Sequence, residues 1–171
     1  MIRWRRRLPA ADRPPLDRDE RVVAFAPAGA GGHVVLTNLG IWLPEAPSRW
    51  GWHEIHKAAW SGRELSLVPA EVVDSSSGYT VVADGPARSF VLTDPGRVPE
   101  QVRTRVNKSI AYTAHHTLPG DGGVRVVARR VPGVNGLHWT VRYDRPDDTG
   151  APGIVSDLVE TARAAIAGAA A

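Results

Sequence analysis

Short apolar runs separated by turn residues recur from residue 21 to residue 94, and this spacing constrains the fold more than any other feature. The runs are rich in β-branched and aromatic residues, and turn stretches such as PAGAGG, NLG, DSSSG and GPA separate them. If WGWHEIHKAAW (50–60) is a strand, the pattern predicts seven: 21–26, 33–38, 40–45, 50–60, 64–73, 79–84 and 88–94. No helical period interrupts them, so we expect antiparallel connections and no parallel sheet.

A change of hydrophobic period after residue 94 predicts one long helix. Its aliphatic residues lie four positions apart and would share one face: Val98, Val102, Val106 and Ile110. Pro99 and Glu100 suit a first helical turn. The predicted helix runs to His115 and His116, because cationic imidazoles at a helix C-terminus complement the helix dipole.

The rest of the chain predicts a β-hairpin followed by a second helix. GVRVVARRV (123–131) and LHWTVRY (137–143) flank the loop PGVNG, and the second strand alternates apolar with polar side chains. A helix is expected to begin near Pro152. Its apolar residues form one stripe that must pack onto another element: Ile154, Val155, Leu158, Val159, Ala162 and Ile166.

The phrases VVLTNLGIWLPE, RWGWHEIHKAAW and ELSLVP, in that order, resemble pleckstrin-homology-like (PH-like) proteins of GC-rich bacteria. The resemblance covers residues 21–116. It implies a mainly β (α+β) fold, in which a seven-stranded antiparallel barrel or sandwich is capped by an α-helix. Residues 1–20 would then be a basic, Pro-rich arm, and residues 117–171 an additional hairpin and helix, either packed on the same domain or forming a lobe beside it.

The resemblance also implies a docking platform for lipids, peptides or proteins, and it carries no catalytic residue across. Phosphoinositide-binding members use basic residues near the loop between the first two strands. The corresponding loop here, PAGAGGH (27–33), contains no Lys or Arg. Specific binding of an inositol phosphate is therefore not expected.

The segment WGWHEIHKAAW contains half of a zinc-protease pattern, but the spacing is wrong for a metal. That motif needs two histidines four residues apart, whereas His53 and His56 are three apart and, in a strand, point to opposite faces. A bulge or tight turn near His53 and Glu54 would instead bring Trp52, Ile55 and Trp60 to one buried side.

Residue types and spacings also argue against catalysis. The chain has no cysteine, no Gly-x-Ser-x-Gly nucleophile motif, and no glycine-rich loop that opens a helix. No pair of carboxylates is placed by the sequence for acid–base chemistry. We therefore expect no enzyme, no metal, no cofactor and no small-molecule substrate.

Positive charge is concentrated at the N-terminus, although the formal net charge is only +3. A membrane surface or another anionic partner would be bound by five residues of the arm: Arg3, Trp4, Arg5, Arg6 and Arg7. At about 1 kcal/mol per arginine near an anionic leaflet, the arm would give weak, salt-sensitive attachment. A solvated tail, or an arm folded back on an acidic patch, stays an alternative.

The leading functional hypothesis is thus a non-enzymatic docking or adaptor module that binds a protein partner. We expect it in the cytoplasm, because the basic start is followed by prolines and charges rather than by the apolar run of a secretory signal. The arm makes the inner membrane face a candidate peripheral location. The alternative is a nucleic-acid-binding protein that uses the arm and a second patch of arginines: Arg103, Arg105, Arg129 and Arg130.

Overall fold

The computed structural model describes residues 6–148 and 151–170, which form a mainly β structure with two α-helices. The strands are β1 (Val22–Pro27), β2 (His33–Thr37), β3 (Gly40–Trp42), β4 (Trp50–Gly51), β5 (Ile55–Trp60), β6 (Glu64–Ser76), β7 (Tyr79–Asp84), β8 (Arg88–Val91), β9 (Ile110–Leu118), β10 (Gly122–Arg130) and β11 (Leu137–Tyr143). The α-helices are α1 (Val98–Ser109) and α2 (Pro152–Ala169). Single 3-10 turns span Ala10–Asp12 and Trp52–Glu54.

The chain divides into two compact units. Unit 1 comprises Met1–Pro69 and Pro86–Asn107, and unit 2 comprises Ala70–Gly85 and Lys108–Ala171. The boundary drawn from the sequence at residue 116 falls inside β9, and the whole of β9 belongs to unit 2.

Unit 1 contains two groups of strands and α1. One antiparallel sheet has the order β1-β2-β3-β4, and the first half of β6 pairs with β5 and with β8. The predicted face of α1 is buried, since Val98, Val102 and Val106 are all within the hydrophobic core. The largest fully buried side chains of this core come from strands of both groups: Leu36, Ile41, Ile55, Leu65 and Leu67.

The segment WGWHEIHKAAW is two strands, β4 and β5, joined by the 3-10 turn Trp52–Glu54. The irregularity expected near His53 is therefore present, and it buries both Trp52 and Ile55. Because the turn divides the segment, eight strands lie between residues 22 and 91, where seven were predicted. Trp60 was expected in the core with Trp52 and Ile55, but it is only half-buried and packs against the core cluster, so that expectation is wrong for Trp60.

Unit 2 is built on a sheet with the order β6-β7-β11-β10-β9, to which β6 contributes its second half. Its core joins Val124, Val126 and Val141 of the sheet to Val155 and Val159 of α2. As predicted, one apolar face of β11 and one stripe of α2 enter this core. Ile154 is the exception within that stripe and is exposed.

The expectation of no parallel pairing is wrong in unit 2. β11 pairs with β7 in parallel through Thr140↔Thr80 and Val141↔Val81. Parallel neighbours need a long crossover connection. The strand pattern that predicted antiparallel connections spans only residues 21–94, whereas the parallel partner of β7 is β11, which begins at Leu137.

The predicted long helix is also wrong in its second half. α1 ends at Ser109, and the following residues IAYTAHHTL form β9, which pairs antiparallel with β10. This stretch alternates between half-buried and exposed positions, a two-residue period that belongs to a strand. His115 and His116 consequently lie on a strand and do not cap a helix.

Candidate functional site

A cleft of about 530 Å³ lies on unit 1, within the size range of ligand-binding sites, roughly 300 to 1,000 Å³. Residues 11–15 form one wall. The loop between β1 and β2, the segment 42–47, and the side chains of Arg88 and Phe90 form the others. Prolines and aromatic rings make much of the surface of the cleft apolar. They are Pro14, Pro15, Pro44, Pro47, Trp42 and Phe90.

Three contacts position His33, Asp12 and Arg88 in this cleft. His33 Nδ1 lies 2.7 Å from Asp12 Oδ2, which ties the arm to the start of β2. Arg88 Nη2 donates to the carbonyl of Pro44 at 3.3 Å, and its guanidinium carbon lies 5.3 Å from the centre of the Phe90 ring. No role was predicted for His33, because no local signal links it to an aspartate 21 residues earlier in the chain.

Glu20 anchors the connector, residues 16–20, which follows the cleft wall. Its Oε1 accepts hydrogen bonds from the Thr37 hydroxyl at 2.6 Å and from Trp42 Nε1 at 3.0 Å. Its Oε2 accepts from the Asp17 amide at 3.0 Å and from Arg49 Nη1 at 2.7 Å. The side chain is fully buried. Four donors thus converge on one carboxylate.

Two opposing effects act on the pKa of Glu20. Burial is the largest and raises it, but the bonds from Thr37, Asp17 and Trp42 and the charge of Arg49 together outweigh burial and leave the pKa below its ordinary value of 4.5. The carboxylate is therefore ionised at neutral pH. It fixes the connector to β2, β3 and the residue before β4.

The arm residues predicted to bind an anionic surface are only partly described. Three of them lie outside the described residues: Arg3, Trp4 and Arg5. Arg6 forms an ion pair with Asp94, Arg7 is exposed, and Leu8 is buried. From residue 6 onward, the described part of the arm thus makes contacts within unit 1, to which it belongs.

The arginines of the second predicted patch are largely engaged within the protein. Arg129 is buried and donates to the Ser109 hydroxyl at 2.9 Å, and burial lowers its pKa. Arg130 donates to the carbonyl of Lys108, and half-buried Arg105 donates to Gln101. Arg103 is exposed. Arg129 at least is therefore not a surface cation.

A second cavity, of about 920 Å³, lies in unit 2 and is bordered by the second half of β6, by β7 and by the residues after β11. Tyr79 and Tyr143 line it, together with Asp74, Asp84 and Asp144. Two of these carboxylates already have partners within the unit. Arg142 Nη1 lies 2.7 Å from Asp84 Oδ1, and His115 Nε2 lies 2.8 Å from Asp144 Oδ2.

Burial raises the pKa of Tyr143, and Tyr79 and the negative charges of Asp148 and Asp74 raise it further. The phenol is therefore neutral at neutral pH.

Neither a metal centre nor a membrane span emerges from the described residues. Within 6–148 and 151–170, no three His, Asp or Glu side chains are grouped so that they could hold a metal ion. The two α-helices in the same ranges are too short or too polar to cross a bilayer.

Comparisons of this chain with protein-family models, with curated proteins and with solved structures found no match. Function must therefore be argued from the two cavities and from the surface around them.

Proposed function

We propose that this protein is a non-enzymatic docking module, and that the cleft of unit 1 binds a segment of a partner protein. Unit 1 would be a PH-like domain with the arm residues 11–15 built into its binding site. The second unit is an addition to that domain rather than a catalytic partner.

The order of elements in unit 1 supports a PH-like assignment. Four strands form one sheet, three further strands pair as β5-β6-β8, and one helix follows them with its apolar face in the common core. The hairpin from β6 to β7 interrupts the second group and belongs to unit 2.

The composition of the cleft is the observation that carries the docking proposal. Among the residues that the structure describes, the lining has no serine, threonine, cysteine, tyrosine or lysine, so these residues offer no hydroxyl, thiol or amine as a nucleophile. Prolines and aromatic rings supply a rigid apolar surface, while Arg13, Arg88 and Glu45 provide charged groups at its walls. An apolar site with a few polar groups suits side chains of a peptide better than bond-breaking chemistry.

The test is a displayed random-peptide library selected on the full chain, followed by affinity measurements with the enriched peptides. Ala30 is exposed and lines the cleft, so Ala30→Trp should fill it without removing any contact of the fold. Binding is expected to weaken about tenfold or more, a change of at least about 1.4 kcal/mol.

Ala87→Trp is the matched control, since Ala87 is an exposed alanine of unit 1 that does not line the cleft. It should leave the affinity unchanged. Failure of any peptide to enrich, or enriched peptides that bind both variants as tightly as the original chain, would refute docking at this cleft.

A further inference from the structure

The second half of β6 is an open sheet edge. On one side it pairs with β7, from Ala70↔Asp84 to Ser76↔Tyr79. On the other side, the pairing with β5 stops at Pro69. No other strand among the described residues pairs with residues 70–76. An open edge presents unpaired backbone N–H and C=O groups to any extended chain that can approach it.

The side chains of this edge are unusually apolar for exposed positions. Every residue from 71 to 76 is exposed, and the exposed fractions of Val72 and Val73 are 63% and 58%. Val73 is the extra residue of a β-bulge, because Val72 pairs with Val82 and the next pair is Asp74↔Val81. The bulge divides the regular backbone of the edge into two short stretches. Backbone hydrogen bonds to either stretch would be few, so side-chain contacts must also contribute to binding.

The charge of the edge is negative and uncompensated. Glu71 and Asp74 form no ion pair within the described residues, and the one hydrogen bond of the Asp74 side chain is to the backbone amide of Ser75. The cavity of about 920 Å³ adjoins the same strand, with Val73 to Ser76 on one side and the rings of Tyr79 and Tyr143 on the others. Arg142 also lines the cavity but is paired with Asp84, and Asp144 is paired with His115, so Asp74 is the lining carboxylate that forms no ion pair within the described residues. A carboxylate beside two aromatic rings favours a cationic side chain.

We propose that the outer edge of β6, with the cavity beside it, docks a basic, extended segment of a partner protein. Backbone groups of residues 70–76 pair with the segment, Val72 and Val73 contact its apolar side chains, and a lysine or arginine enters the cavity. A second copy of this chain is disfavoured at the same edge, because Glu71 and Asp74 would face like charges. This surface is separate from the cleft of unit 1.

Fluorescence anisotropy with a labelled decapeptide of alternating Lys and Val tests the proposal on the full chain. The combined variant Glu71→Gln with Asp74→Asn should weaken binding about tenfold. The combined variant Glu64→Gln with Asp157→Asn removes the same two kinds of charge from exposed positions elsewhere and should change the affinity little. Amide hydrogens of residues 71–76 should exchange more slowly when the peptide is bound.

Three outcomes would overturn the proposal. One is equal affinity of the two combined variants. Another is equal binding of a decapeptide of alternating Lys and Pro, which keeps the charge but lacks half of the N–H groups. The third is a dimer of the unliganded chain, seen by sedimentation and abolished by Val73→Lys. The variant Ala30→Trp should leave Lys-Val binding intact, which distinguishes failure here from failure at the cleft.

Discussion

Replacing Glu20 by glutamine should destabilise unit 1 strongly, because the substitution keeps the shape of the side chain and removes its ability to accept four bonds. One carboxylate oxygen accepts from Thr37 and Trp42, and the other accepts from Asp17 and Arg49. Whichever way the amide of glutamine is oriented, its NH₂ group faces two donors. Two bonds are lost, and the other two become bonds to a neutral acceptor.

The cost follows from the burial of this side chain and the charge it carries. A hydrogen bond to a charged group contributes about 1.5 to 3 kcal/mol. Removing one partner of a buried ion pair costs about 3 to 5 kcal/mol. Arg49 is partly exposed and can be rehydrated, which places the loss near the lower end. We expect the free energy of unfolding of unit 1 to fall by about 3 kcal/mol at neutral pH.

Urea unfolding followed by tryptophan fluorescence measures this loss, since five of the six tryptophans belong to unit 1. Glu64→Gln makes the same chemical change at an exposed position of β6 and should alter stability little. A loss below about 1 kcal/mol for Glu20→Gln would refute the reasoning, because an exposed, weakly bonded carboxylate would behave in that way.

Three further predictions follow from the same structure. The pKa of Glu20 is lower in the folded state than in the unfolded state, so the stabilisation by this carboxylate is fully present above the unfolded-state pKa and is lost as pH falls through the folded-state pKa. The difference in the free energy of unfolding between Glu20→Gln and the original chain should therefore shrink below about pH 4. Urea titrations at a series of pH values measure this difference. Gly40→Ala should lower the free energy of unfolding by about 3 kcal/mol or more in urea titrations, because the new Cβ would lie 2.1 Å from the carbonyl oxygen of Trp50. Gly168→Ala is the control: its Cβ would meet nothing within 4 Å, so the stability should be unchanged or higher. Trp52→Ala should cost about 3 to 5 kcal/mol and half-buried Trp60→Ala clearly less, and equal losses would contradict their difference in burial.

Hydrophobic periodicity and turn residues correctly predicted the elements that depend on residues close together in the sequence. β11 spans the predicted residues 137–143, the apolar stripe of α2 is largely buried, and the turn within WGWHEIHKAAW lies where the parity of Trp52 and Ile55 required one. In each case the signal lies in neighbouring residues, whose period or parity is fixed by backbone geometry.

Pairing between distant segments was not predictable in the same way. Ile110 continues the four-residue spacing of α1 and also begins the two-residue alternation of β9, so the sequence fits both structures there. What favours the strand is the run of antiparallel partners on β10, from Leu118↔Gly122 to Ile110↔Arg129. The parallel pairing of β7 with β11 is equally non-local.

The arm contributes to the fold of unit 1 through residues that charge alone does not single out. Composition directed attention to the arginines at the start of the arm, whereas the cleft wall comes from residues 11–15, between them and the connector. Three contacts hold residues 8–20 of the arm in place: the burial of Leu8, the His33–Asp12 bond and the bonds of the Glu20 carboxylate. Removing residues 1–20 at the boundary drawn from the sequence would take away all three contacts and one wall of the cleft. The arm from residue 6 onward is therefore part of the folded unit, and any binding by the cleft depends on it.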